Sequence, residues 1–343
     1  MIEYLPWSKK ELEKTLNLYQ NKFFSILDIE LGGACNLSCI YCDTPQKKAR
    51  SKINLDILNM LANRLSLNWL FICGLGEPTA KQNIDLLLKI LNFCDKRNIK
   101  CSMFTNLLEI NEDIVKYIQK GILYILYKLD TLDEKKMNII YRTKKGKKIL
   151  NIIKSLEKYV MITDGCTNIS ASIVPTKLNE NELLSLIEYC NERNFFPLIG
   201  DLEYSGKSKE QFEKLKISEN DLFQIRLEIF NRFGYHYQVP ICPAVIGGIH
   251  INHEGYLIVD RCTGLSCHWF WLKEPKIESL MKIDKHTDIN NIFRKIMDYR
   301  NKKITYIESM LPQFKELPFG GCGGDIKYML TKYLEIHKTI CKD

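Results

Sequence analysis

The feature that most constrains the fold is an alternation of short apolar segments with helix-period segments through the first two thirds of the chain. The strand-like segments are 23–29, 69–73, 100–104, 123–128, 168–174 and 197–202, and the helical segments between them are 55–65, 84–97, 111–121, 147–159 and 180–193. Strands that alternate with helices of this length predict parallel strands joined by crossover connections. Six such units are too few for a closed eight-stranded barrel, so we predict an open, curved α/β sheet.

Three cysteines follow the first predicted strand. Cys35, Cys39 and Cys42 have the spacing C-x3-C-x2-C, and Tyr41 directly precedes the last of them. Structural zinc sites usually take four ligands, and ferredoxin-type clusters usually take four cysteines. Three thiols at this spacing therefore indicate an iron–sulfur cluster that keeps one iron open for another ligand. A structural cluster of reduced cysteines is the plainer alternative.

A glycine-containing turn, GLGEP, follows the second predicted strand. Gly74 and Gly76 let the backbone approach a ligand closely, and Glu77 or its neighbouring carbonyl groups can accept a hydrogen bond from an ammonium group. Glycine turns end many βα units and are a weak signal alone. This turn is a stronger signal for a ligand site because it follows the cysteine segment by one βα unit. In parallel barrels the chemistry sits at the carboxyl ends of the strands, where both segments fall.

Together these segments resemble the signature of the radical S-adenosylmethionine (radical SAM) superfamily. The resemblance implies a partial (β/α)6 TIM-like barrel, a 4Fe–4S cluster held by the catalytic cysteines Cys35, Cys39 and Cys42, and SAM bound to the open iron. It implies that SAM is reductively cleaved to a 5′-deoxyadenosyl radical, which abstracts hydrogen from an unactivated C–H bond. An electron donor such as flavodoxin or ferredoxin would be the redox partner.

The resemblance extends to residues that follow later strands. Thr105 and Asn106 stand where relatives carry the segment TNG, with Leu107 in place of the glycine. The residues that the resemblance assigns to SAM binding are Tyr41, Gly74, Gly76, Glu77, Thr105, Asn106, Lys128, Asp130, Arg142 and Ser170. From Thr105 onward, a helix cap or a strand-end turn residue is the alternative interpretation at each position.

The C-terminal third has a different pattern. A β-hairpin is predicted around the turn 253–255, with Cys242 and Cys262 at its two ends; Cys267 and Cys322 follow. This arrangement resembles the Twitch or SPASM extensions of radical SAM enzymes, which implies a second, auxiliary 4Fe–4S cluster bound by these four thiols. Structural zinc at the same thiols is the alternative, and a ligand role for Cys341 stays open.

These patterns divide the chain into a helical N-terminal extension at 1–22, a radical SAM barrel at 23–215 and a small α+β, Cys-rich cluster-binding domain with a β-hairpin at 216–343. Ser8 and Glu11 predict a capped helix in the extension. The remaining thiols lack the spacing of metal ligands and are interpreted as core packing: Cys73, Cys94, Cys101, Cys166 and Cys190.

Composition narrows the setting. Thirteen cysteines, an odd number, argue against a disulfide framework. The N-terminus lacks a signal-peptide layout, and no segment approaches the roughly 18 apolar residues of a membrane span, so we expect a cytoplasmic protein with no membrane partner. Oxygen-sensitive clusters further imply an anaerobic setting. The net charge of +8 and the basic segment 142–148 keep nucleic acid as an alternative partner, although a charge run is more often a solvated face.

We expect the substrate to be a small polar metabolite that is oxidised or epimerised with help from the auxiliary cluster. The alternatives are a peptide maturase, an RNA-modifying enzyme and a zinc protein without catalysis. Peptide maturases often carry an N-terminal leader-binding module, for which the about twenty residues before the first strand are too few. Candidate substrate contacts at the sixth strand end and in the hairpin are Asp201, Glu203, Tyr204 and His250.

Overall fold

The computed structural model describes most of the chain from residue 2 to residue 313. The described residues are 2–21, 24–32, 34–42, 52–74, 76–200, 202, 208–233, 248–259, 278–313, 331, 334, 335 and 338. The predicted auxiliary ligands Cys242, Cys262, Cys267 and Cys322 lie outside these ranges, as do Cys341, Asp201, Glu203 and Tyr204.

A nine-stranded sheet forms the centre of the molecule. The predicted βα units supply six parallel strands: Ile26–Ile29 (β2), Trp69–Ile72 (β3), Lys100–Thr105 (β4), Leu123–Lys128 (β5), Ile169–Ile173 (β8) and Phe196–Ile199 (β9). They lie side by side in the sheet in the order of the chain. The described strands at the two ends of the sheet do not pair with each other, so the sheet is open. The α/β class and the partial-barrel prediction are thereby confirmed.

Helices connect the strands. They are Lys9–Gln20 (α1), Leu55–Arg64 (α2), Ile84–Arg97 (α3), Glu112–Gln119 (α4), Glu134–Ile140 (α5), Gly146–Ser155 (α6), Leu183–Glu192 (α7), Ser208–Leu215 (α8), Glu219–Phe233 (α9) and Ile289–Met310 (α10). Several begin at polar caps: the side chains of Ser8, Asn54, Asn111 and Asp133 each accept a hydrogen bond from a backbone N–H in the first turn. Their apolar faces pack on the outer face of the sheet in one large core.

The predicted hairpin is present, as Gly248–Ile251 (β10) and Tyr256–Val259 (β11). Its first strand pairs in parallel with β2, and a further strand, Glu278–Lys282 (β12), pairs with β11. The hairpin therefore extends the barrel sheet and brings a C-terminal segment beside the strand that precedes the cysteines. The division of the chain at residues 215 and 216 stays a prediction.

The inner face of the sheet is apolar at the amino ends of its strands. Ile26, Trp69, Phe71, Tyr124, Leu126 and Leu198 form a buried cluster there that includes Tyr4 from the N-terminal segment. The Tyr4 hydroxyl lies 2.8 Å from Ser102 Oγ, and Trp69 Nε1 donates to Glu11 Oε2 over 2.9 Å. A small sheet made of Glu3–Tyr4 (β1), Cys166–Thr167 (β7) and Ile162–Thr163 (β6) fixes this segment in place. This closed base leaves the opposite, carboxyl ends of the strands for ligands.

No helix among the described residues is both long and apolar enough to cross a membrane.

Candidate functional site

The cysteine segment after β2 is held against the end of α5. Ile40 N donates to the Ile140 carbonyl oxygen over 2.9 Å, and Ser38 N donates to the Tyr141 carbonyl oxygen over 3.5 Å. Within the segment, Leu37 N donates to Cys35 Sγ over 3.4 Å. Backbone contacts to a separate helix thus place the thiols at the carboxyl end of the sheet. Helix α5 was not predicted, and its sequence signal is the N-cap residue Asp133.

The thiols are enclosed to different degrees. Cys39 is buried, whereas Cys35 and Cys42 are partly exposed. Burial raises the pKa of Cys35 to about 11 and that of Cys39 to about 12. Without a metal these two thiols are therefore protonated at neutral pH. Thiolate is the form that binds metal, so loading of the site releases protons.

The glycine turn after β3 has the backbone conformation that its sequence predicts. Gly74 and Gly76 have φ angles of +88° and +100°, in the region that favours glycine. A Cβ at Gly74 would lie 2.5 Å from Glu30 Oε1, so only glycine fits beside this carboxylate. A small cleft, partly open to solvent, is lined by Leu31, Cys73, Gly74, Gly76, Pro78 and Phe104. The glycine turn therefore borders a cleft at the carboxyl edge of the sheet.

Glu77 connects the glycine turn to the end of β4. Its Oε1 accepts from Thr79 N, Thr79 Oγ1 and Thr105 Oγ1 over 3.0, 2.7 and 2.6 Å, and its Oε2 accepts from Asn106 N over 2.7 Å. Burial raises the pKa of this carboxyl group, and the hydrogen bonds oppose that shift. Glu77 N also donates to the Ala34 carbonyl oxygen, next to the first cysteine, over 2.7 Å. Through its carboxylate and its backbone N–H, Glu77 therefore links three neighbouring segments.

Asn106 links the end of β4 to the cysteine segment, because its Nδ2 donates to Asn36 Oδ1 over 2.8 Å. The next residue, Leu107, has a φ of +66°. This is the position where the family motif has glycine, and the backbone here adopts the conformation that glycine favours. Leu107 is nevertheless fully buried in the core. The backbone conformation at residue 107 favours glycine, but the buried leucine side chain contributes to the core.

Tyr41, Lys128 and Asp130 meet at the end of β5. The Tyr41 hydroxyl donates to Asp130 Oδ2, and Lys128 Nζ lies 3.4 Å from the same oxygen and 4.5 Å from the centre of the Tyr41 ring. The other oxygen, Oδ1, accepts from Val174 N over 3.0 Å. This buried carboxylate therefore fixes the tyrosine that precedes Cys42.

The other two predicted SAM contacts have different surroundings. Arg142 is exposed and has a φ of +47°. Ser170 is fully buried on β8, and its hydroxyl donates to the Phe196 carbonyl oxygen over 2.9 Å. Their roles in SAM binding stay predictions.

A second polar group lies where β10, β2 and β3 adjoin, and sequence reasoning missed most of it. Asp28, Cys73 and His250 each place a ligand-type atom within 4.8 Å of those of the other two. Asp28 and His250 face each other across the ladder between β2 and β10. The interpretation of Cys73 as a core thiol was wrong, because the residue is partly exposed and lines the cleft. Asp28, a carboxylate inside an otherwise apolar strand, is the sequence signal for this polar group.

Glu30 completes this polar group. Its Oε2 lies 3.0 Å from His253 Nδ1, and its Oε1 lies 3.9 Å from His250 Nε2. Burial raises the pKa of Asp28 to about 7, and the neighbouring His250 opposes that shift. Of the predicted substrate contacts, the described residues include only His250, and it lies in this group.

One segment of the chain matches a known protein family. Residues 29–190, which include the cysteine segment, the glycine turn and the ends of β2 to β8, match the family model of the Radical SAM superfamily. This segment is a radical SAM domain. Radical SAM domains belong to enzymes that use a 4Fe–4S cluster and SAM as cofactors.

Two individual proteins are also similar to this chain. It is 26% identical over 199 residues to an uncharacterised protein of Methanocaldococcus jannaschii, and 25% identical over 198 residues to a GTP 3′,8-cyclase of a Sulfurovum species. The alignments cover 58% and 55% of this chain but only 64% and 57% of those proteins.

Solved structures share the fold. SuiB of Streptococcus suis bound to SAM superimposes with a TM-score of 0.56 at 17% identity, covering 83% of this chain and 69% of SuiB. The enzyme anSMEcpe with bound SAM and a peptide superimposes with a TM-score of 0.53 at 16% identity, covering 92% of this chain and 96% of that one. At such identities the likeness establishes the fold of the radical SAM domain and nothing further.

The three thiols of the radical SAM domain fit the cluster. All three are among the described residues and stand on one segment that follows β2. Cysteine thiolates are the donors that iron–sulfur clusters take. Three donors also match a cluster that leaves one position to SAM.

Proposed function

We propose that this protein cleaves SAM reductively and uses the resulting radical to abstract hydrogen from a small polar metabolite, leading to oxidation or epimerisation. The observation that carries the proposal is the family match over the segment that contains the three thiols. With SAM bound, the cluster supplies a 5′-deoxyadenosyl radical; the chain supplies the ligands, the enclosure and the substrate site.

The chain's own residues divide this work between them. Cys35, Cys39 and Cys42 hold the cluster, and the turn with Gly74 and Gly76 receives the amino acid part of SAM. Glu77 acts by fixing the backbone around that turn, because its carboxylate accepts four hydrogen bonds from Thr79, Thr105 and Asn106. The buried aromatic cluster at the base of the barrel would exclude water from below a bound substrate.

The polar lining of the mouth supports a small polar substrate. Asp28, Glu30 and His250 are buried there beside the cleft that Cys73 and Phe104 line. Such groups bind amine and hydroxyl substituents, and a buried acceptor discriminates strongly against analogues that lack them. The related GTP 3′,8-cyclase is named for a small polar substrate, which agrees with this proposal.

A peptide substrate is the second candidate. Two structures with the same fold, SuiB and anSMEcpe, were solved with a precursor peptide and a peptide bound, respectively. A metabolite screen and a peptide screen scored by 5′-deoxyadenosine formation would separate the candidates. The basic segment 142–148 keeps an RNA substrate as a third, which would show itself as strongly salt-dependent RNA binding.

We further propose that Cys242, Cys262, Cys267 and Cys322 bind an auxiliary 4Fe–4S cluster in a separate C-terminal unit, with flavodoxin or ferredoxin as the electron donor in the cytoplasm. The support is their number and clustered spacing in the sequence. Replacing Cys242 and Cys262 by alanine should remove about four irons per chain, the content of one ferredoxin-type cluster. Unchanged iron would remove this part of the proposal.

The decisive experiment measures iron, acid-labile sulfide and 5′-deoxyadenosine after anaerobic reconstitution with SAM and dithionite. We expect about eight irons per chain, from two four-iron clusters, together with 5′-deoxyadenosine. The variant in which Cys35, Cys39 and Cys42 are all alanine should lose about half of the iron and all SAM cleavage. Cys190→Ser, which changes a buried thiol on α7, is the matched control. SAM cleavage that persists in the triple variant would contradict the proposal.

A further inference from the structure

A group of three different metal-binding side chains lies inside the barrel mouth, apart from the three-cysteine segment. Asp28 on β2, Cys73 at the end of β3 and His250 on β10 come from three adjacent strands. Their oxygen, sulfur and nitrogen atoms all lie within 4.8 Å of one another. Strand pairing fixes the relative positions of the three backbones, so the group is preorganised.

The donor set selects a class of metal. A thiolate, an imidazole and a carboxylate together suit zinc and its borderline neighbours, whereas magnesium and calcium prefer oxygen alone. Zinc bonds of about 2.0 to 2.3 Å place tetrahedral ligands roughly 3.3 to 3.8 Å apart, so side-chain shifts of about an ångström would close the group on an ion. Three protein ligands with one open position are typical of zinc sites that bind substrate.

The surroundings also suit a metal. Glu30 Oε1 lies 3.9 Å from His250 Nε2, beyond hydrogen-bond distance but close enough to place a negative charge beside the imidazole. The same Glu30 lies against Gly74, where a Cβ would collide with it. Cys73 lines the cleft and so provides a path for an ion and a face open to a ligand. Asp28 and His250 are almost fully buried, which protects the site from bulk water.

We propose that Asp28, Cys73 and His250 bind one divalent ion of the zinc class, with its open position directed to the cleft. Binding converts the Cys73 thiol to thiolate and releases its proton to solvent. An ion here would coordinate a hydroxyl, carbonyl or amine group of the substrate and hold it at the barrel mouth. Metal binding itself does not depend on the proposed radical reaction.

The test titrates zinc chloride into the full-length, anaerobically reconstituted protein, removes loosely bound metal by gel filtration and measures zinc by elemental analysis. We expect the wild type to hold about one zinc per chain more than Cys73→Ala and His250→Gln, because each variant removes one of three ligands. Cys190→Ser should hold as much as the wild type. Equal zinc in all four proteins would overturn the inference.

X-ray absorption at the zinc edge tests the wild type without any variant and is blind to the iron of the clusters. A ligand shell of one sulfur with nitrogen and oxygen would support the site. A shell of sulfur alone, as the C-terminal cysteines would give, or no retained zinc would refute it. 5′-Deoxyadenosine formed by the same samples separates the two proposals: SAM cleavage without zinc binding refutes only the metal site, and zinc binding without cleavage refutes only the proposed function.

Discussion

At the scale of single residues, the hydrogen bonds of Glu77 predict a measurable contribution to stability and to SAM binding. Glu77→Gln keeps the size of the side chain but places an NH2 group opposite at least one N–H or O–H donor. A buried donor left without its acceptor costs about 1–3 kcal/mol, so we expect the free energy of unfolding to fall by that amount. We also expect weaker SAM binding, because the glycine turn loses its support. Urea unfolding and SAM titration measure the two effects.

The control for Glu77→Gln is Glu228→Gln, an exposed position on α9. Exposed substitutions usually change stability by less than about 0.5 kcal/mol. Equal stability of the two variants would mean that the carboxylate of Glu77 does not organise the turn.

Leu107 allows a prediction in which the usual order of two substitutions is reversed. Leu107→Ala and Leu107→Gly both remove a buried side chain and should cost about 2–5 kcal/mol. At a φ of +66°, however, alanine is strained and glycine is not, so the glycine variant should be the more stable of the two by about 1 kcal/mol.

Leu91 in α3 provides the comparison for Leu107, since it is equally buried but has a helical backbone. There the alanine variant should be the more stable by about 1 kcal/mol. Chemical denaturation measures the stability of all four variants. If the alanine variant is more stable than the glycine variant at both positions, the left-handed conformation of Leu107 is contradicted.

At the scale of elements, strand β10 supports β2, the strand that precedes the cysteines. Ile251 is fully buried on β10, and its carbonyl oxygen accepts from Glu30 N over 3.1 Å. Ile251→Ala should lower the free energy of unfolding by about 2–5 kcal/mol through the cavity that it leaves. Ile162→Ala on β6, where the side chain is 53% exposed, should have almost no effect. The β2 amides should also exchange hydrogen faster in Ile251→Ala but not in Ile162→Ala. Unchanged exchange of the β2 amides in Ile251→Ala would mean that β10 does not stabilise β2.

Local elements were predictable from the sequence because their signals are local. The predicted bounds of α3 and of β5 agree with the structure, and Ser8 caps α1 as expected. The hairpin was also predicted, but its pairing with β2 was not, since nothing in the segment 248–259 specifies a partner strand so far away. The association of Asp28 with His250 follows from that pairing alone, which is why the sequence showed the three-cysteine site but hid the second polar group.

At the scale of the whole molecule, the fold has a closed base and an open mouth, so ligands that bind at the mouth should stabilise the whole barrel. At a SAM concentration of one hundred times its Kd, a ligand that binds only the folded state adds about 2.7 kcal/mol to stability. We expect a clear rise in Tm for the reconstituted protein with SAM. The variant without Cys35, Cys39 and Cys42 should show none, and an equal rise in both would place SAM elsewhere.

The pairing of β10 with β2 also determines when the barrel can be completed during synthesis. The contact between Glu30 and His253 joins residues 223 positions apart, so it forms only after most of the chain has been made. Until then one edge of β2 has no strand beside it, and open strand edges are templates for association with other chains. The ribosome thus delivers β2 and the cysteines early and the strand that pairs with β2 late. In the cell, the nascent barrel is therefore exposed to misassembly for as long as the C-terminal third takes to emerge.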